Sequence, residues 1–199
     1  MVLESRRRFL VKQQVAFGRM TDAYDILDPE TGAVIGHAAE EPSGWALVAR
    51  LFLEKAYLPT RVNVYDREAA GPVLTLSKAS GFFGQQVEVE VDSGGERLGM
   101  FQSKLCTVGG GFYVYDAAGG RVAEVKGDWG GWNFQYLTEG GDEIGVVTKQ
   151  WAGLGRELFT CADTYMVDVT APDAGPNAAA LLLAAGLSID LVYKEGRRK

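Results

Sequence analysis

A single histidine, His37, and two cysteines, Cys106 and Cys161, stand among 199 residues. One histidine leaves no second imidazole for a metal cage or a paired acid–base scheme. The cysteines lie far apart and in no C-x-x-C pair, which supplies neither a disulfide framework nor a zinc site. No G-x-S-x-G element, no phosphate-binding glycine loop and no G-x-G-x-x-G ahead of a helix is present. A secretory leader is missing too, because the apolar run Phe9-Leu10-Val11 is broken at once by Lys12, Gln13 and Gln14. The expected compartment is the cytoplasm, and the expected protein is not an enzyme.

Positive charge is scarce in the middle of the chain. The net charge is −6, which argues against the broad basic face of a nucleic-acid binder, so no nucleic-acid partner is expected. Arg6, Arg7, Arg8 and Lys12 open the chain, and Lys194, Arg197, Arg198 and Lys199 close it. Residues 13–193 hold 12 basic against 24 acidic side chains. An acidic body with two basic ends has two explanations. The ends are solvated tails at 1–8 and 194–199, or they meet on one side and touch anionic lipid, each residue contributing about 1 kcal/mol near the surface.

Glycine is abundant, with 26 residues, about twice the ordinary share. It falls in a repeated phrase of alternating apolar residues, an acidic turn with glycine, then alternation again. Tyr24–Leu27 with Val34–Ile35, Val62–Tyr65 with Val73–Leu76, and Val87–Val91 with Leu98–Phe101 are three copies. Phe112–Tyr115 with Val122–Val125, and Trp132–Leu137 with Ile144–Val147, are two more. Alternation of period two gives each strand one buried and one wet face, as antiparallel sheets have. Ten or more strands at this spacing close into a barrel or form two packed sheets. Asp28, Asp66, Asp92, Asp116 and Asp142 sit in the turns, where Asx-type hydrogen bonding explains them better than ligation does.

The pattern breaks at residues 178–193, an alanine- and leucine-rich run without charge until Asp190. Helix propensity is high. A helix apolar all round is either buried in protein or spans a bilayer. Residues 178–192 reach about 22 Å at 1.5 Å each, short of the roughly 30 Å of a hydrocarbon core. A sheet curled around this helix satisfies both halves of the sequence. A second segment, Trp45–Leu58, interrupts the hairpins with helical propensity and an apolar circumference. It packs on the outside, caps the barrel, or lies at a membrane interface with Trp45, Phe52 and Tyr57 among the headgroups.

The stretch Gly145–Tyr165, with Lys149-Gln150-Trp151-Ala152-Gly153 leading into Glu157-Leu158-Phe159-Thr160-Cys161-Ala162-Asp163, resembles the phospholipid scramblase signature. The ending Leu187-Ser188-Ile189-Asp190 is similar too, as are the hairpins and the opening Phe9–Gln13 to the wider scramblase and LURP-one-related group. That group shares the Tubby C-terminal architecture. The resemblance covers nearly the whole chain, and its specific part is residues 145–195. It implies one domain over residues 1–199, a twelve-stranded antiparallel closed barrel around a central hydrophobic C-terminal α-helix. It also implies a calcium loop, in which Asp163 matches the third position and Asp173 falls one place after the twelfth. Cys161 replaces the first aspartate of that loop, Met166 takes its glycine position and Pro172 its twelfth. Tyr165, Val167 and Val169 at the alternate positions read instead as the inward face of a strand, so no cofactor is expected.

Together these observations describe a scramblase-related, non-catalytic barrel that associates with anionic phospholipid or a membrane-bound partner, peripherally at the inner face of the membrane. Its expected contacts are Arg6, Arg7, Arg8, Lys12, Trp45, Phe52, Tyr57, Arg197, Arg198 and Lys199. A soluble protein-interaction scaffold, and a true calcium-dependent scramblase, are the alternatives. Oligomeric state is not legible in the sequence. Deleting residues 177–199 is expected to strip the barrel of its core and yield insoluble protein, whereas a soluble, cooperatively unfolding truncation contradicts the buried-helix assignment.

Overall fold

The computed structural model describes residues 3, 5–14, 21–49, 53, 58–79, 88–104, 110–128, 132–149, 164–175 and 177–194. Twelve strands hydrogen-bond into a closed ring. They are β1 (Arg8–Gln13), β2 (Ala23–Leu27), β3 (Val34–Glu40), β4 (Thr60–Asp66), β5 (Pro72–Lys78) and β6 (Glu88–Ser93), followed by β7 (Glu96–Ser103), β8 (Gly111–Asp116), β9 (Arg121–Asp128), β10 (Asn133–Thr138), β11 (Glu143–Thr148) and β12 (Thr164–Val169). Each strand pairs antiparallel with its sequence neighbours, and β1 meets β12 to close the ring. Mainly β, closed and twelve-stranded, this is the architecture that the scramblase resemblance implied, and of the two arrangements the strand spacing allowed it is the barrel.

Local chemistry explains the hairpins. Asp28, Asp66 and Asp116 each accept a backbone amide through Oδ1, from Glu30 at 2.8 Å, Glu68 at 2.9 Å and Gly120 at 2.8 Å. These side chains serve their turns, as the sequence pattern proposed. In the β10–β11 turn Gly141 adopts φ +91, a conformation that a Cβ would strain. Between β9 and β10 an aromatic side chain covers a strand glycine. Phe134 lies across from Gly127, and its ring occupies the space that a Cβ on Gly127 would need. Ring closure is made by Phe9 opposite Val167 and Val11 opposite Tyr165. Tyr165, Val167 and Val169 belong to the buried core, so their alternation does mark the inner face of β12.

Through this ring runs α2 (Ala178–Ile189), continued by a π-helical turn at Asp190–Lys194. Every side chain from Leu182 to Ile189 is buried, and Leu183 and Leu187 sit in the core with the inward residues of the strands. The helix does not run down the middle. A methyl group on Gly145 of β11 would lie 2.5 Å from Leu182 Cδ2, and one on Gly186 would lie 3.0 Å from Tyr165 Cε2. These two glycines therefore let α2 lean on the β11–β12 wall. Among the described residues no helix is long and apolar enough to cross a membrane.

At its far end α2 is tied by a buried polar contact, in which the Tyr24 hydroxyl donates to Asp190 Oδ2 at 2.6 Å. Burial, and then the Asp190 charge, push the Tyr24 hydroxyl well above its ordinary pKa, so it stays a donor throughout the physiological range. Tyr24→Phe removes one donor from a carboxyl group only 4% exposed. The expected loss is about 1–3 kcal/mol of unfolding free energy, read from chemical denaturation, with the urea slope unchanged.

Candidate functional site

The ring sorts its connections onto two ends. Turns of two to six residues join β2–β3, β4–β5, β6–β7, β8–β9 and β10–β11 at one end, here called the hairpin end, where α2 also begins. Segments 14–22, 41–59, 79–87, 104–110, 129–132 and 149–163 join strands at the opposite, loop end. All four tryptophans of the chain, Trp45, Trp129, Trp132 and Trp151, belong to these loop-end connections. The same connections hold six basic and five acidic residues, so they escape the acidity that the rest of the chain would present to an anionic surface.

The loop end also carries three of the five large apolar side chains exposed among the described residues. Helix α1 spans Gly44–Ala49, a shorter helix among the described residues than the Trp45–Leu58 run suggests. Ala46 and Leu58 are buried, while Trp45 is 61% exposed, Val48 60% and Leu53 55%. Phe52 and Tyr57 lie outside the described residues. Trp132, across the ring in the β9–β10 connection, has φ +50 and packs at 5.3 Å on Tyr165 and edge-on at 5.9 Å to Phe134. Lys149 Nζ stands 4.5 Å from its ring centre. Such a left-handed, non-glycine residue is uncommon, and here its ring is turned onto the core rather than outward.

The first basic cluster lies at the other end. Arg6 pairs with Asp28 at 2.6 Å, Arg8 with Asp168 at 3.1 Å, and Arg7 donates to the Val169, Ala171 and Pro172 carbonyls. The Glu30 amide first, and the Arg6 guanidinium after it, hold the Asp28 carboxyl below its usual range. The three arginines line a surface depression of about 570 Å³ together with Asp28, Glu30 and Asp168. Arg6 and Arg8 therefore meet two acids of the barrel itself, at the end opposite Trp45. Lys12 is exposed on β1, nearer the loop end. Arg197, Arg198 and Lys199 lie outside the described residues.

The implied calcium loop does not fit the residues present. Asp163 lies outside the described residues, and Asp173 is exposed at the hairpin end. Between them every residue of β12 is buried, and the alternate positions Tyr165, Val167 and Val169 face the core. Two valine side chains offer no oxygen, and calcium needs six to eight. Among the described residues no group of three metal-ligating side chains forms.

One charged cluster was not singled out by the sequence pattern. On the outer face of β8–β9, Glu124 pairs with Lys126 and, at 2.9 Å, with Lys104. Lys104 Nζ and the Arg121 guanidinium both stand over Tyr113, at 4.8 and 4.6 Å from its ring centre. The same-face spacing of Glu124 and Lys126 was visible in the sequence, but the reach of Lys104 from another strand was not. His37 stacks on Tyr65 at 4.8 Å across β3 and β4, with no second imidazole in the chain to join it.

A family model described as Scramblase matches residues 7–196. No curated protein and no solved structure matches the chain.

The Glu124 cluster sets an acid-stability expectation. Hydrogen bonds from Lys126 and then Lys104 pull its carboxyl from 4.5 to about 2. A depressed folded-state pKa contributes stability above the unfolded value, and that stability is lost as pH falls from about 4.5 towards about 2. Lys126→Ala is expected to raise the Glu124 pKa in a carboxyl NMR titration and to move acid unfolding to higher pH.

Proposed function

The chain belongs to the scramblase family, and on that footing we propose that it is a peripheral phospholipid-surface protein, acting by binding rather than by catalysis through the loop end of its barrel. The observation that carries this is the gathering of exposed apolar side chains on one short segment. Of the five large hydrophobic residues exposed among those described, Trp45, Val48 and Leu53 fall within nine residues. Tryptophan and aliphatic side chains on a short surface helix suit the headgroup zone, where an amphipathic ring has both apolar and polar neighbours. The charge balance of the loop-end connections supports an anionic rather than an acid-averse surface. Lys12 stands on the same half of β1 and supplies a cation.

Arg6, Arg7 and Arg8 have no part in this contact. Their contacts with Asp28, Asp168 and backbone carbonyls hold them at the hairpin end, opposite Trp45. Calcium has no part either, since the β12 residues do not fit it.

Co-sedimentation of the full chain with phosphatidylserine-containing and pure phosphatidylcholine vesicles tests the proposal. Binding to the anionic vesicles, weakened by salt, is expected. Trp45→Ala is expected to lower the partition coefficient roughly tenfold, the equivalent of losing most of one buried aromatic side chain. Arg7→Ala and the addition of a calcium chelator are expected to change it little. Folded protein that ignores anionic vesicles, or binds them equally after Trp45→Ala, overturns the assignment.

A further inference from the structure

A twelve-strand ring is wider than the eight strands whose interior side chains alone can fill. The lean of α2 onto β11 and β12, through Gly145 and Gly186, leaves the shortfall on the opposite wall, along β4 to β7. The first turn of α2 deepens it, because Ala178, Ala179 and Ala180 reach less far than the leucines that follow. A cavity of about 440 Å³ opens there, within the roughly 300–1,000 Å³ of small-molecule sites.

Its walls are aliphatic and aromatic, with Phe9, Val64, Leu74, Leu98, Ala180 and Leu183 among them, and among the described residues its polar side chains are Ser93 and Asn177 and none is charged. Asn177 opens α2, is exposed, and makes no side-chain capping bond. Its amide donors are therefore available at the mouth. The first turn of α2 carries no acidic side chain, and a helix start attracts negative charge. The Ser93 hydroxyl is already committed to the Val73 carbonyl at 3.0 Å.

We propose that this cavity binds one long-chain fatty acid, its aliphatic tail between α2 and the β4–β7 wall and its carboxylate at Asn177. An apolar slot open at one polar, uncharged mouth suits a single chain with a small anionic head, and a two-chain phospholipid exceeds the space. The site lies at the hairpin end, away from Trp45, so it stands or falls independently of the vesicle contact.

The probe is cis-parinaric acid, added to the full chain without vesicles and below its critical micelle concentration. Saturable fluorescence enhancement near one equivalent is expected, together with a rise in the thermal midpoint. Its methyl ester is expected to bind at least tenfold more weakly. Ala180→Phe and Leu98→Phe fill the cavity from two sides and are expected to weaken acid binding at least tenfold, Leu98→Phe carrying the test if the helix variant fails to fold. Folded wild-type protein that binds no probe overturns the proposal. So does undiminished binding in a cavity-filled variant that still unfolds cooperatively, and so does equal binding of acid and ester.

Discussion

The mutual need of ring and helix governs this molecule. Twelve strands enclose more space than their own inward side chains fill, and α2 is apolar on every face and finds no stable place in water. Each half solves the other's problem. The inward residues of all twelve strands and the leucines of α2 form one continuous core, tied at its end by the Tyr24–Asp190 hydrogen bond. Closure of the ring through β1 and β12 also removes every exposed strand edge, the usual liability of a sheet.

Two consequences follow from how the helix sits. Glycine at 145 and 186 draws α2 against one wall, so beside the first turn of the helix the opposite wall borders a cavity. Antiparallel closure, in turn, places every second connection at the same end. Tight turns, the arginine contacts and the cavity mouth share the hairpin end, whereas the connections that hold all four tryptophans share the other. The barrel is thereby polarised, with an exposed apolar segment at one end and a cavity mouth at the other. Loops on a stable scaffold are where binding residues usually concentrate.

Much of this was legible along the chain. The five hairpins announced themselves by alternation and by Asp–Gly turns, and α2 by an uncharged run too long for a strand and too short for a bilayer. Tyr165, Val167 and Val169 identified themselves as an inward strand face against the calcium-loop expectation, because valine has no oxygen to give. Less was visible of the candidate site. The arginines at 6, 7 and 8 look like a free basic cluster, yet their partners Asp28 and Asp168 come from β-strand ends distant in sequence. Lys104 gave no sign of reaching Glu124, and Val48 and Leu53 were indistinguishable from core residues within an apolar run.

Periodicity and composition determined the run of antiparallel hairpins and the buried helix, and the motif at residues 145–195 carried the kinship with the scramblases and with it the closed twelve-strand ring, because each rests on local sequence that survives without knowledge of neighbours. Only tertiary structure decided which charges are neutralised, which apolar side chains remain in water and on which side of the helix space is left. Those outcomes depend on strand register and on the few tenths of an ångström by which glycine lets two backbones approach, and neither is written in any single segment of the chain.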